Sequence, residues 1–236
     1  AQHILPLRER AAAIEAVQEE RLNTLLPKLM AENDLDLWVL ITREYNEDPV
    51  VRTLLPPTWL NARRRTILVF AKDPKTGAVE RVAMTRYAFG KFFPSVWNKE
   101  KQPDQWQALA DYILAKAPKK IGINTSEGYG IADGLAHTDY QGLYSALPPR
   151  YRQRLVTAEA LAVAWIETRT PKEMLLFQQL TEITHRIIAE AFSTEVITPG
   201  VTTTEDVVWW LREKVSGLGL DTWFHPTVDV QRNEAS

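Results

Sequence analysis

Leu37-Trp38-Val39-Leu40-Ile41 is an unbroken apolar run of strand length, entered through Asp34 and Asp36. A strand with one wet face alternates apolar and polar residues, so a continuous run is expected where both faces are covered. Upstream, Ile14, Val17, Leu22, Leu25, Leu26 and Leu29 recur at helical spacing among Glu, Arg and Gln between Arg8 and Asn33, which predicts an amphipathic helix bent at Pro27. Helix followed by buried strand points to an α/β fold. Downstream, Thr66-Ile67-Leu68-Val69-Phe70 repeats the strand signal. Asp73-Pro74-Lys75-Thr76-Gly77 is a turn leading to a second strand around Val79 to Met84, so the two are expected to form a hairpin. Pro103-Asp104 opens a helix through Trp106, Leu109, Tyr112, Ile113 and Leu114, and Lys120-Ile121-Gly122-Ile123-Asn124 follows as a short strand. A further helix is expected from Asp133 to about Leu147, ended by Pro148-Pro149. Strand order is not legible at this level.

The chain has 236 residues, room for two compact units or for one and a fraction. With 25% charged and 45% hydrophobic residues it has the profile of a folded protein. Twenty-eight basic and thirty acidic side chains leave a formal charge of -2, which supplies no overall field for nucleic acid or an acidic membrane. With no cysteine, disulfides, Cys-ligated zinc and a thiol nucleophile are excluded, but the compartment is not fixed. No stretch approaches the roughly 20 apolar residues of a membrane helix. A first residue Ala1 rather than Met suits a periplasmic or secreted chain after removal of a signal peptide, and equally suits a trimmed cytoplasmic one.

Beyond Arg150 the pattern changes. Leu155-Val156 and the run from Ala158 to Thr168 lead to Thr170-Pro171-Lys172-Glu173, a Thr cap with Pro at the first helical position and Glu at the third. Met174, Phe177, Leu180, Ile183, Ile187, Ala191 and Phe192 keep an apolar stripe as far as Thr198-Pro199-Gly200, and one face of that helix is expected to pack on something. Thr202-Thr203-Thr204-Glu205 repeats the capping logic, with Val207, Val208, Leu211 and Val215 on the buried side of the next helix. Trp223-Phe224-His225-Pro226-Thr227-Val228 reads as a β segment interrupted by proline, suited to a sheet edge. The expected boundary lies in the Pro148 to Leu155 stretch, giving units 1–154 and 155–236.

The order Trp165-Ile166-Glu167-Thr168-Arg169-Thr170-Pro171-Lys172-Glu173, a long helix, Ile197-Thr198-Pro199-Gly200-Val201-Thr202-Thr203, a second helix and then Trp223 to Val228 resembles the opening of the catalytic domain in Xaa-Pro aminopeptidases, prolidases and creatinases. The first 150 residues are similar in element order to the N-terminal domain of that family. The resemblance implies an α/β creatinase-type N-terminal domain followed by an incomplete pita-bread α+β domain. It also implies a proline-containing peptide substrate, a homodimer and two divalent ions, Mn, Co or Zn, in the full-length protein. In the family two Asp, one His and two Glu hold these ions, and a bridging water attacks the amide carbon. Two closely spaced hard cations need several carboxylate oxygens, and together they acidify a shared water and polarise the carbonyl. No residue matches those ligands, which are expected after Ser236, so the chain alone is expected to be inactive. The rival readings are a metal-free polypeptide-binding or assembly module of the same fold and a creatinase-like amidinohydrolase.

Single residues add little. His225 matches no ligand position of the family, and a site built from His225, Asp229 and Glu234 on one short tail would lack rigid support. His185, between Ile183 and Ile187, reads as a partly buried or interface histidine, and His137 and His3 carry no partner signal. Gly122, Gly128, Gly130 and Gly134 form no phosphate loop, since no Lys-Ser/Thr follows. Trp209-Trp210 places one ring on each side of a helix, one toward the core and one toward a neighbour. Arg63-Arg64-Arg65 could clamp a carboxylate or meet another subunit, although three basic residues before a strand are usually solvated.

Overall fold

A computed structural model of the chain describes residues 4–231. Two compact units divide between Thr170 and Pro171.

The first unit opens with α1 (Leu7–Glu20), a wider π-type turn (Arg21–Leu25) and α2 (Leu26–Glu32). The bend foreseen at Pro27 is absorbed one turn earlier: Leu26 N–H donates to Arg21 O, five residues back, just before the proline that has no N–H to donate. β1 (Leu37–Arg43), α3 (Pro49–Leu54), β2 (Arg65–Lys72) and β3 (Val79–Ala83) follow. α4 (Gln105–Lys116), β4 (Ile121–Ile123), α5 (His137–Ala146), α6 (Pro149–Arg152), β5 (Leu155–Thr157) and α7 (Glu159–Glu167) complete the unit. The strands form one mixed sheet in the order β3-β2-β1-β4-β5. β1–β2 and β2–β3 are antiparallel, with Leu37 opposite Ala71 and Ile41 opposite Ile67, whereas β1–β4 and β4–β5 are parallel.

The apolar run that fixed the fold class is buried on both faces. Trp38 and Leu40 join Leu68 and Phe70 in a core closed by α2, α3 and α7, while Leu37, Val39 and Ile41 join Ile67 and Val69 in a core closed by α4 and α5. The hairpin forms as expected, with Asp73 Oδ1 accepting from the Lys75 and Thr76 amides and Gly77 at φ +74°. A left-handed position there suits a residue without Cβ. Asp104 caps α4 by accepting from Trp106 N at 2.9 Å.

Two expectations shift here. The helix foreseen from Asp133 starts only at His137, because Gly134 passes against Asp48 so closely that a Cβ would lie 1.9 Å from Asp48 Oδ2. The boundary expected at 154/155 falls within the sheet. Leu155–Thr157 pairs with β4, and Leu161 and Trp165 of α7 enter the core beside Trp38, so the units part only after Thr170. Arg21 also reaches α7: its guanidinium donates to Thr168 O at 2.8 Å and to Trp165 O, and sits 4.4 Å from the Trp165 ring centroid.

The second unit contains α8 (Pro171–Ala191) and α9 (Thr204–Gly217). Ile187, Ala191, Val207 and Leu211 form its core, flanked by Ile183, Ile197 and Trp210. α8 begins at the foreseen proline, Gly200 takes φ +77°, and α9 carries a full capping box. Asp206 rather than Glu205 closes that box: Thr203 Oγ1 accepts from Asp206 N and Asp206 Oδ2 accepts from Thr203 N. Of the apolar stripe on α8 only Ile187 and Ala191 are buried, while Met174, Phe177, Leu180 and Phe192 are exposed. Trp223 to Val228 is irregular rather than a strand. The segment pairs with no strand among the described residues, and Pro226 has no N–H for a ladder. No helix among the described residues is long and apolar enough to cross a membrane.

Candidate functional site

The chemistry-bearing feature of the α/β unit is a cavity of about 870 Å³ at the end of β1 and the start of β2. Antiparallel pairing puts Arg43 directly opposite Arg65, so two cations stand side by side at the sheet margin. Like charges in that register repel. Asp139, 1% exposed on α5, resolves the conflict: Arg43 Nε lies 2.9 Å from its Oδ2, and Arg65 Nε donates to its Oδ1 at 3.2 Å. The Arg43 contact is an ion pair off hydrogen-bond alignment, whereas the Arg65 contact is aligned.

The rest of the wall is also basic. Arg63 and Arg64 come from the segment before β2, Arg86 follows β3, and Lys99 lies on the loop before α4. Set against Glu44 in the wall, Asp139 beneath it and Glu100 paired with Arg86 at 3.7 Å, the six cations leave an excess of three positive charges. Arg63, Arg64 and Lys99 make no ion pair among the described residues. The formal charge of the whole chain, -2, gives no hint of this concentration.

The cavity is braced from behind. The Arg65 guanidinium lies 4.4 Å from the Trp106 ring centroid and that of Arg63 lies 5.1 Å from Trp59. Gln105 Nε2 donates to Met84 O at 2.7 Å and to Arg65 O at 3.3 Å, tying the end of the hairpin to the start of β2. Gly142 lets α5 close on α4, since a Cβ there would fall 2.3 Å from the Trp106 ring. At the mouth, Tyr45 and Arg64 both occupy left-handed backbone, at φ +68° and +51°, and Glu44 N donates to Arg64 O across the gap. Such conformations cost about 1–2 kcal/mol per non-glycine residue and persist only where the surroundings impose them.

A buried polar chain stands on the other face of β1. Trp38 Nε1 donates to Asn124 Oδ1 at 2.8 Å, and Asn124 Nδ2 donates to Asp48 Oδ2 at 2.9 Å. Asp48 Oδ1 caps α3 by accepting from Val50 N and Val51 N. Burial pushes the Asp48 carboxyl above its ordinary range, against the lowering effect of these donors. Its polar atoms are taken up by the fold, so this chain ties β1, β4 and α3 together.

No family model matches the chain, and no curated protein matches it. Among solved structures the chain is similar to an Xaa-Pro dipeptidase from Bacillus anthracis. The likeness has a TM-score of 0.48 at 13% sequence identity, covering 89% of this chain and 50% of that one. The chain therefore spans half the length of that dipeptidase. A likeness of this size decides neither fold nor activity.

The two-metal centre implied by the sequence resemblance does not fit the residues present. No group of three or more His, Cys, Asp or Glu that could hold a metal ion occurs among the described residues. His225 and Asp229 are exposed in the irregular segment, and His185 and His137 are exposed on α8 and α5. Of the two settings expected of His185, partly buried or at an interface, the first is not met, since it is exposed on α8. His3 and Glu234 lie outside the described residues. Trp210 turns to the α8–α9 core while Trp209 is exposed, as the helical offset required. Of the candidate site residues singled out in the sequence, the Arg63-Arg64-Arg65 triplet lines this cavity. Arg43, Arg86 and Lys99 escaped sequence reading because they come from three separate segments. The one local signal was Arg43 at the end of the apolar run, but its pairing with Arg65 required the register.

Proposed function

We propose that the chain is the N-terminal α/β domain and the opening helices of the catalytic domain of a metal-dependent hydrolase of the Xaa-Pro aminopeptidase and prolidase type. The observation that carries this reading is the ordered series in the last third. It runs from the Thr170-Pro171-Lys172-Glu173 helix start through the Thr198-Pro199-Gly200-Val201-Thr202 turn and a capped second helix to Trp223-Phe224-His225-Pro226-Thr227-Val228. A helix start at Pro171, a left-handed Gly200 and the Thr203–Asp206 box support it, because each is a backbone device at its place in that series. The reading includes two divalent ions, a proline-containing peptide substrate and a homodimer as properties of the whole protein.

The test is an assay of the native protein, purified from its source, on Ala-Pro and Gly-Pro dipeptides and on creatine. Hydrolysis of the dipeptides that depends on Mn, Co or Zn and disappears with chelator is the expected result. Hydrolysis of creatine alone would select the amidinohydrolase. Failure on all substrates with every metal would refute the reading in favour of a polypeptide-binding module.

A further inference from the structure

We infer that the arginine-lined cavity at the β1–β2 margin is a binding site for a small, multiply charged oxyanion, a molecule bearing phosphate or several carboxylates. The inference is independent of the peptidase reading and concerns residues of the α/β unit alone.

The charge balance favours an anionic partner. Six cations line the wall, Asp139 holds only Arg43 and Arg65, and Arg63, Arg64 and Lys99 face the cavity with no ion pair among the described residues. These cations come from four chain segments onto one concavity. An anion bearing three charges neutralises the excess in one event, and one bearing two removes most of it.

The groups are those that recognise oxyanions. A guanidinium presents a planar fork of donors that matches two oxygens of a phosphate or carboxylate, and charge-assisted bonds of this kind are roughly twice as strong as neutral ones. Preorganisation limits the entropy lost on binding. Arg65 is held by Trp106 and Asp139, and Arg63 rests on Trp59. A volume near 870 Å³ falls within the roughly 300–1,000 Å³ of small-molecule sites, and Tyr87 and Trp97 give it an apolar wall for the remainder of the ligand. The left-handed backbone at Tyr45 and Arg64 is strained at the mouth, and strain of this kind clusters at ligand clamps.

The test is calorimetric titration of the intact chain with pyrophosphate and, separately, citrate, at low salt and at about 150 mM, where exposed charges are screened within about 8 Å. Saturable binding of at least one anion, weakened by salt, is expected, and the tighter of the two identifies phosphate or carboxylate chemistry as its source. Arg64→Gly should weaken binding at least tenfold. Because glycine relieves the positive φ, that loss cannot be ascribed to a damaged fold. Adding Lys99→Ala should remove binding, while Lys75→Ala, an exposed lysine in the β2–β3 turn, should leave it unchanged. Absence of saturable binding of either anion, or equal binding by wild type and the Arg64→Gly/Lys99→Ala variant, would overturn the inference.

Discussion

The α/β unit and the α8–α9 pair use the same apolar alphabet with opposite results. In the first, every apolar residue of Leu37 to Ile41 is buried, because a sheet has two faces and helices supply a cover for each. In the second, a 21-residue helix with an equally clear stripe buries two residues, and Leu175 is 68% exposed. Periodicity states which face wants a partner. It does not supply one, and a pair of helices offers each stripe only a single seam.

The comparison breaks most severely at Trp38. Replacing it with Ala removes a fully buried ring from the core and leaves Asn124 Oδ1 without its donor, so a loss of about 3–5 kcal/mol is expected in urea unfolding followed by far-UV circular dichroism. A cost below about 1 kcal/mol would mean that the two-sided core is not what holds this unit.

Asp48 sharpens the contrast by pH. Its carboxyl is raised from an ordinary value of 3.8, so above that pH the folded state holds a proton that the unfolded state has released. Stability from this group is complete below pH 3.8 and is lost as pH rises through the folded-state value. Asp48→Asn cannot titrate and keeps an oxygen to cap α3, although its amide must face the Asn124 donor. Wild-type stability should therefore fall relative to the variant as pH is raised from 4 upward in parallel denaturation series. A constant difference across pH would show that the carboxyl is not perturbed.

At the helix pair the effects are smaller. Thr203→Ala removes the oxygen that accepts from Asp206 N and should cost about 1 kcal/mol, read as a lower midpoint for that unit. Leu175→Gln, on the exposed face of α8, should change stability by less than about 0.5 kcal/mol. A loss above 2 kcal/mol would show that this face is covered in solution and would erase the difference between the two regions.

Much of the fold was legible because its causes are local. The hairpin turn needs only Asp73 and Gly77, the helix starts need Asp104, Pro171 and Thr203, and the class follows from one apolar run. The site was legible only as the Arg63-Arg64-Arg65 triplet, which by sequence resembles any solvated basic patch. Arg43 and Lys99 lie far from it along the chain, and Asp139 further still, so no window of sequence contains the cavity.

The sequence by itself determined the α/β class, the helix starts at Asp104, Pro171 and Thr203 and the turns at Gly77 and Gly200, since hydrophobic burial and capping act over a few residues. Tertiary structure alone decided the strand order, the unit boundary after Thr170, and which charges meet. The register that sets Arg43 opposite Arg65 is a long-range pairing, and electrostatic neighbours are fixed by distance in space rather than along the chain.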